Sequence, residues 1–429
     1  MAKGILIKSI IIMFFSFPVF VAVNAQSGKN TSGDSLLTLF KEKYNQGLYK
    51  ESLDLYRETP LETLSAEESF YLGLTFNNLR ETFRASVYLG KAVELLPAHK
   101  GYRIQLARTL SNLGKTSEAV RNYQTVIEKD SNNVTALFDL GVIRYDAREY
   151  QNAIGLFSRL VSLNPNDFLS CYYLGSSMML SGNPNYAETA LKHLEHSIAV
   201  NQDYLPAINL LALSKFNLQK FYEANALYGM ALKLRPQNAE FYFKSGMCNE
   251  RLKFFAESAD LYNKAIALDS NQADYFDHLG FVYFNLGRYD SAAAAYNNAV
   301  RIDADPVYFI NLGFTYARMD SVKRSIESFQ KAISVMPADK IGNVYNQIGA
   351  VHYSRENYKE AKSSYEKGLL YHPGNIDAQF YIAMINEKMM DWKNALSAYR
   401  KVIKLAEGDS LQIERINYSN KKIAELKKR

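Results

Sequence analysis

The sequence predicts an all-α chain built as a tandem array of helix pairs, and three observations carry that prediction. A Leu-Gly pair returns at Leu72-Gly73, Leu140-Gly141, Leu174-Gly175, Leu279-Gly280 and Leu312-Gly313. Its spacing is 34 residues from Gly141 to Gly175 and 33 from Gly280 to Gly313, a period that marks stacked repeats of one supersecondary unit. Prolines are scarce, 10 in 429 residues, as a chain of long helices requires.

Calling the recurrent glycine position 8 fixes a register. Position 8 is Gly73, Ala107, Gly141, Gly175, Ala212, Gly246, Gly280, Gly313, Gly349 and Ala383, all small. Position 20 is Ala85, Ala119, Ala153, Ala190, Ala224, Ser258, Ala292, Ser325, Ala361 and Ala395, small again. Position 24 is large: Leu89, Tyr123, Phe157, Leu194, Tyr228, Tyr262, Tyr296, Phe329, Tyr365 and Tyr399. Positions 4, 7, 8 and 11 share one face of a first helix, and 20, 24 and 27 share one face of a second. Small residues at 8 and 20 let the two axes approach, and the ring at 24 fills the space beside the crossing. Asn or Gly at positions 13 to 15 turns the chain, as in Asn112-Leu113-Gly114 and Asn285-Leu286-Gly287. Pro97, Pro165, Pro236, Pro337 and Pro373 at position 32 are expected to stop the second helix.

This pattern resembles the tetratricopeptide repeat family. The resemblance covers residues 33–409 as about eleven units and implies a right-handed superhelical solenoid of antiparallel helix pairs. Unit 33–65 is degenerate: Phe40 occupies the small position, and Pro60 is expected to cut its second helix short. Unit 168–204 carries extra residues around "GNPNYAET", and unit 306–341 has extra residues before Gly342. Residues 410–429 are expected to form a capping helix with a basic tail, "KKIAELKKR".

The N-terminus reads as an export signal over residues 1–25. Lys3 and Lys8 precede an apolar run from Ser9 to Val23, and Val23-Asn24-Ala25 offers small residues for cleavage before Gln26. The alternative, a retained anchor, meets a run of about 15 residues containing Pro18, short of the ~20 that a spanning helix needs. Residues 26–32 read as a short disordered N-terminus. The expectation is an exported chain, periplasmic or associated with the cell envelope, with no direct membrane span after signal cleavage. The net charge of +6 is too mild, and too evenly spread, to suggest nucleic acid.

Candidate chemistry is sparse. His193 and His196 in "HLEH" have metal-ligand spacing, but no third ligand is nearby in sequence and both fall on the outer side of a second helix. Cys171 and Cys248 lie two units apart, at positions 4 and 10. Units stacked about 10 Å apart leave them beyond the ~7 Å reach of a disulfide, so both read as small core residues. His352 takes position 11 as a core substitute. No nucleophile–base pair, phosphate-binding glycine loop or metal motif appears, so no catalytic, cofactor or metal site is expected.

The resemblance places ligand contacts on first-helix positions 2, 5, 9, 12 and 13, lining a concave groove. Here that lining is apolar and aromatic. Position 5 offers Phe138, Tyr172, Phe243, Ile310 and Phe380. Position 9 offers Val142, Leu213, Met247, Phe281, Phe314 and Met384, and position 12 offers Tyr145, Met179, Phe216, Phe284 and Tyr353. Positions 5 and 9 read as a groove for a partner's apolar segment. Position 12 is open between groove and core. Some family members grip a C-terminal carboxylate with Lys and Asn at positions 5 and 9; Asn209 and Asn346 stand here without that set. The expected function is an exported scaffold or adaptor that binds protein partners, within an envelope or secretion assembly, with self-association as a further possibility. The alternative is a carbohydrate-binding accessory protein, its rings stacking on sugars and Asp146, Asp274, Asn285 and Asn343 supplying hydrogen bonds.

Overall fold

The computed structural model describes residues 33–428, so the expected signal peptide and the segment 26–32 lie outside the described residues. The chain divides into two compact bodies between Ile143 and Arg144. The first contains α1 (Gly33–Asn45), α2 (Tyr49–Asp54), a 3-10 turn at Leu61–Thr63, α3 (Ala66–Asn78), α4 (Thr82–Leu95), α5 (Lys100–Asn112), α6 (Thr116–Lys129) and most of α7 (Val134–Asp146). The second continues with α8 (Tyr150–Leu163), α9 (Phe168–Leu180), α10 (Ala187–Val200), α11 (Leu205–Asn217), α12 (Phe221–Leu234), α13 (Ala239–Arg251), α14 (Phe255–Leu268), α15 (Ala273–Asn285) and α16 (Tyr289–Ile302). It ends with α17 (Pro306–Arg318), α18 (Val322–Val335), α19 (Ala338–Ser354), α20 (Tyr358–Tyr371), α21 (Ile376–Lys388), α22 (Trp392–Leu405) and α23 (Ile413–Leu426). No strand occurs among the described residues. The fold is an all-α solenoid of consecutive antiparallel helix pairs.

The register sets the helix ends. From α3 to α22 the first helix of a pair runs from position 1 to 13 and the second from 17 to 30, with α19 as the exception. Between them the chain turns through a left-handed residue at position 15. Gly47, Gly114 and Gly287 take it with φ near +74°, but so do Arg80, Arg148, Gln219, Lys253, Asp320, Glu356 and Met390 near +60°. The following N–H then reaches the carbonyl five residues back, as in Arg288 N to Tyr283 O at 2.9 Å and Phe254 N to Asn249 O at 2.8 Å. This 6→1 bond ends the helix whether or not glycine is present. The prolines at position 32 likewise mark a boundary more than they create one. Second helices without that proline, such as α6 and α16, stop at the same place as α8 and α12. Many first helices then start on a side-chain cap: Ser65, Asp167, Asn238, Asp305 and Asn375 each accept from a backbone N–H of the opening turn.

Inside a pair, the glycine of position 8 faces the large residue of position 24. A Cβ added at Gly280 would lie 2.7 Å from the Tyr296 ring, and one at Gly313 would lie 2.8 Å from the Phe329 ring. The space that glycine vacates therefore holds the ring itself, a tighter version of the expected crossing. Position 24 then meets position 6 of the next first helix. Phe157 stacks on Tyr173 and Tyr365 on Tyr381, both at 5.1 Å between centroids, and Tyr123 donates to Asp139 at 3.1 Å.

Three departures from the regular unit have local causes. In α1/α2, Phe40 is fully buried against the edge of Tyr56, at 5.5 Å. The second helix ends at Asp54, ahead of Pro60, in the unit where two rings share the crossing. The insertion in unit 168–204 forms a 3-10 turn at Pro184–Tyr186 ahead of α10. The extra residues before Gly342 lengthen α19 to 17 residues. There Gly368 of α20 makes room for Asn346, whose Oδ1 would lie 2.2 Å from a Cβ at that site. At the end of the chain, α23 caps α22, with Leu426 and Ile423 against the cluster around Tyr399 and a charged outer side.

Candidate functional site

The side chains of the predicted groove separate into three environments. The rings of position 12 are half-buried and close onto position 17, the first residue of the following helix. Phe216 meets Phe221 edge-on at 5.3 Å and Phe284 meets Tyr289 at 5.4 Å. Tyr145 with Tyr150 and Tyr353 with Tyr358 do the same, both at 5.9 Å. These contacts clasp the turn between paired helices, and the Tyr145 hydroxyl also hydrogen-bonds Ser176 Oγ at 2.8 Å. Met179 packs with Phe216 against the core around Ile208 and Tyr228. Position 12 is thus half-buried, with its rings engaged in the turns.

Position 5 lines the seam between successive first helices. Phe243 packs tilted on Tyr275 at 4.5 Å and meets His278 edge-on at 5.2 Å. Tyr172 packs on Tyr204 at 5.1 Å, Phe380 on Tyr418 at 5.5 Å, and Ile310 against the cluster of Phe329 and Val344. Phe138 is half-buried in the first body. These residues are half-buried.

Position 9 is different. Leu213 is 39%, Phe281 42% and Phe314 37% exposed. Val142, Met247 and Met384 are half-buried, and Met247 leans on the cluster of Tyr262 and Leu279. Leu213, Met247, Phe281 and Phe314 occupy the same register position on α11, α13, α15 and α17, and the exposed surface lies at Leu213, Phe281 and Phe314, with half-buried Met247 between the first two.

Polar groups on the same face were only partly visible in the sequence. Asp274 accepts from the Tyr308 hydroxyl and Asp277 from Asn311 Nδ2, both at 2.8 Å, tying α15 to α17. Asp277 is a carboxylate at a position otherwise mostly apolar, and that contrast was the available signal. One link between α13 and α15 escaped sequence reasoning altogether. Glu250 Oε2 accepts from His278 Nδ1 and from the Tyr262 hydroxyl, each at 2.7 Å. Burial by itself disfavours the imidazolium, but the Glu250 hydrogen bond and charge, with Asp277 and Asp274 nearby, outweigh it and raise the His278 pKa above its usual value. Of the other polar residues named from sequence, Asn285 folds back onto Phe281 O at 2.8 Å, while Asp146 and Asn343 are exposed. Asn209 and Asn346 each keep a buried amide oxygen without a hydrogen-bond partner.

The remaining sequence candidates are structural. Cys171 and Cys248 are buried and unpaired, and burial pushes the Cys248 thiol up to about 12. His196 Nε2 lies 3.0 Å from Pro165 O, and His193 is half-buried with its pKa lowered by burial. No cluster of three or more metal-ligating side chains occurs among the described residues. His352 is half-buried, with Nδ1 lacking a partner. No helix among the described residues is long and apolar enough to cross a membrane.

Comparison with known proteins places this architecture. Family models described as tetratricopeptide repeat match residues 104–168 and 209–273, 273–306, 342–375 and 377–406, together more than half of the chain. No curated protein matches. Among solved structures, MamA is similar over 38% of this chain and 93% of its own, at 20% identity and a TM-score of 0.36. YrrB, described as a TPR protein with an unusual peptide-binding site, is similar over 42% and 92%, at 20% identity and a TM-score of 0.38. Yeast Tom70 is similar over 92% and 96%, at 15% identity and a TM-score of 0.37. At these values the structures bear on no argument about function. The matched repeats, in the register that the helix ends and crossings follow, make this chain a member of the tetratricopeptide repeat family.

Proposed function

We propose that this chain is a protein-binding scaffold whose contact surface is the position 9 stripe of its first helices. The observation that carries the reading is the exposure of Leu213, Phe281 and Phe314 at one register position, greater than that of the half-buried rings at positions 5 and 12. Apolar side chains kept in water in a repeating row favour a partner that covers them. A preformed helical surface loses little freedom on binding, so most of the gain from burial is retained as affinity. The mechanism is non-covalent: an extended or helical segment of another protein lies along the stripe, and half-buried Met247 adapts to it. The export signal read from the sequence of residues 1–25 supports a place in the cell envelope, as scaffold or adaptor within an assembly there.

The test is crosslinking of the tagged protein in its native envelope, with mass spectrometry of what is attached. It is run beside a variant carrying Leu213→Ser, Phe281→Ser and Phe314→Ser. A dominant protein adduct that the variant loses, with its helical melting unchanged, supports the reading. An unchanged adduct in the variant moves the contact surface elsewhere, and adducts to the chain itself alone replace the adaptor role with self-assembly.

A further inference from the structure

The apolar stripe is bordered unevenly by charge. Asp277 stands one helical turn before Phe281 and Asp274 two turns before it, so all three share a face of α15. Their hydrogen bonds to Asn311 and Tyr308 hold both carboxylates in the seam toward α17, the helix that carries Phe314. Those donors are neutral, and neither carboxylate takes part in an ion pair among the described residues. Lys244 on the adjoining first helix and His278 on α15 itself are engaged by other carboxylates. Lys244 pairs with Glu240 and His278 with Glu250, at 2.8 and 2.7 Å. Burial pushes the Asp277 carboxyl above its usual range, against the opposing pull of the Asn311 hydrogen bond and the His278 charge. Such a carboxylate favours a binding partner that brings the cation with it.

We infer that the segment bound along Phe281 and Phe314 is basic as well as apolar, presenting a lysine or arginine to Asp274 and Asp277 where its apolar side chains meet the stripe. The inference rests on the binding reading above and adds the chemistry of the partner. An acidic segment would bring like charges together at the seam, and a neutral one would leave the carboxylates uncompensated.

Three labelled probe peptides test it, each with the same leucine pattern and with lysine, serine or glutamate at the intervening positions. Their binding to the full chain is read by fluorescence anisotropy. The lysine peptide is expected to bind at least about fivefold more tightly than the serine peptide, with the glutamate peptide weakest and the preference shrinking as salt rises. Asp274→Asn with Asp277→Asn should erase the preference while leaving the serine peptide's affinity in place. The triple serine variant at Leu213, Phe281 and Phe314 should weaken all three peptides. Equal affinities, failure of all three peptides to bind, or a lysine preference that survives the asparagine variant overturns the basic partner. A preference kept in full by the triple serine variant instead overturns the stripe as the binding face. Circular dichroism of each variant separates these outcomes from loss of fold.

Discussion

The pairs α1/α2 and α15/α16 stand in the same register and differ at position 8 and in a proline, Pro60, within the span of the second helix. In α15/α16, Gly280 leaves room for the Tyr296 ring, and the second helix runs its full 14 residues. In α1/α2, Phe40 fills that room, Tyr56 is turned edge-on to it, and the second helix stops after 6 residues. The turns of the two pairs are alike: Gly47 and Gly287 are both left-handed, and both following N–H groups bond five residues back at 2.9 Å. The turn therefore forms independently of the crossing, while the short second helix of α1/α2 goes with both the ring at position 8 and Pro60 within its span.

The largest test of that comparison makes α15/α16 resemble α1/α2. Gly280→Leu should destabilise the chain by about 1–3 kcal/mol through overpacking against Tyr296, read as a lower urea midpoint. Gly280→Ala should cost about 1 kcal/mol or less, because Ala107, Ala212 and Ala383 already face Tyr123, Tyr228 and Tyr399 in their own units. Equal effects of the two substitutions would remove volume as the deciding property. A smaller effect belongs to the link that α15 makes to α13. The His278 pKa is raised, so its contribution is full below the unfolded value of about 6.5 and is lost as pH rises through the folded pKa. His278→Gln should flatten the melting temperature across that window, by an amount equivalent to about 1 kcal/mol at most. An unchanged pH profile would reduce the Glu250 contact to packing. The smallest effect concerns the turn that both pairs share. Lys253 adopts φ near +64° where α1/α2 and α15/α16 have glycine. Lys253→Gly should raise stability by about 0.5 kcal/mol, since relief of the left-handed strain outweighs the added freedom of the unfolded chain.

Much of the architecture was legible because repetition averages out local noise. Positions 8, 20 and 24 stayed small, small and large from unit to unit, and the helices follow them from α3 to α22. The two cysteines were placed in the core by register alone. The turns were only half legible: Asn-Leu-Gly announces them at Gly114 and Gly287, but Arg148 and Met390 adopt the same conformation without a local signal. Prolines at position 32 suggested a cause for helix ends that the unmarked α6 and α16 show to be general. The predicted groove was legible as a set of apolar positions and not as a surface.

Sequence by itself determined the period, the helix pairs and which residue of each pair must be small, because those follow from side-chain volume repeated at fixed spacing. Tertiary structure alone decided which apolar residues meet water. Positions 5, 9 and 12 are chemically alike in the sequence, and a helix carries them on one broad face. Neighbouring helices then take position 5 into a seam and the following helix takes position 12 into a turn clasp, while position 9 keeps more of its surface in water at Leu213, Phe281 and Phe314, even where Phe281 and Phe314 meet Phe255 and Phe329 edge-on. That selection depends on the packing of three helices at once, which no single unit of the sequence encodes.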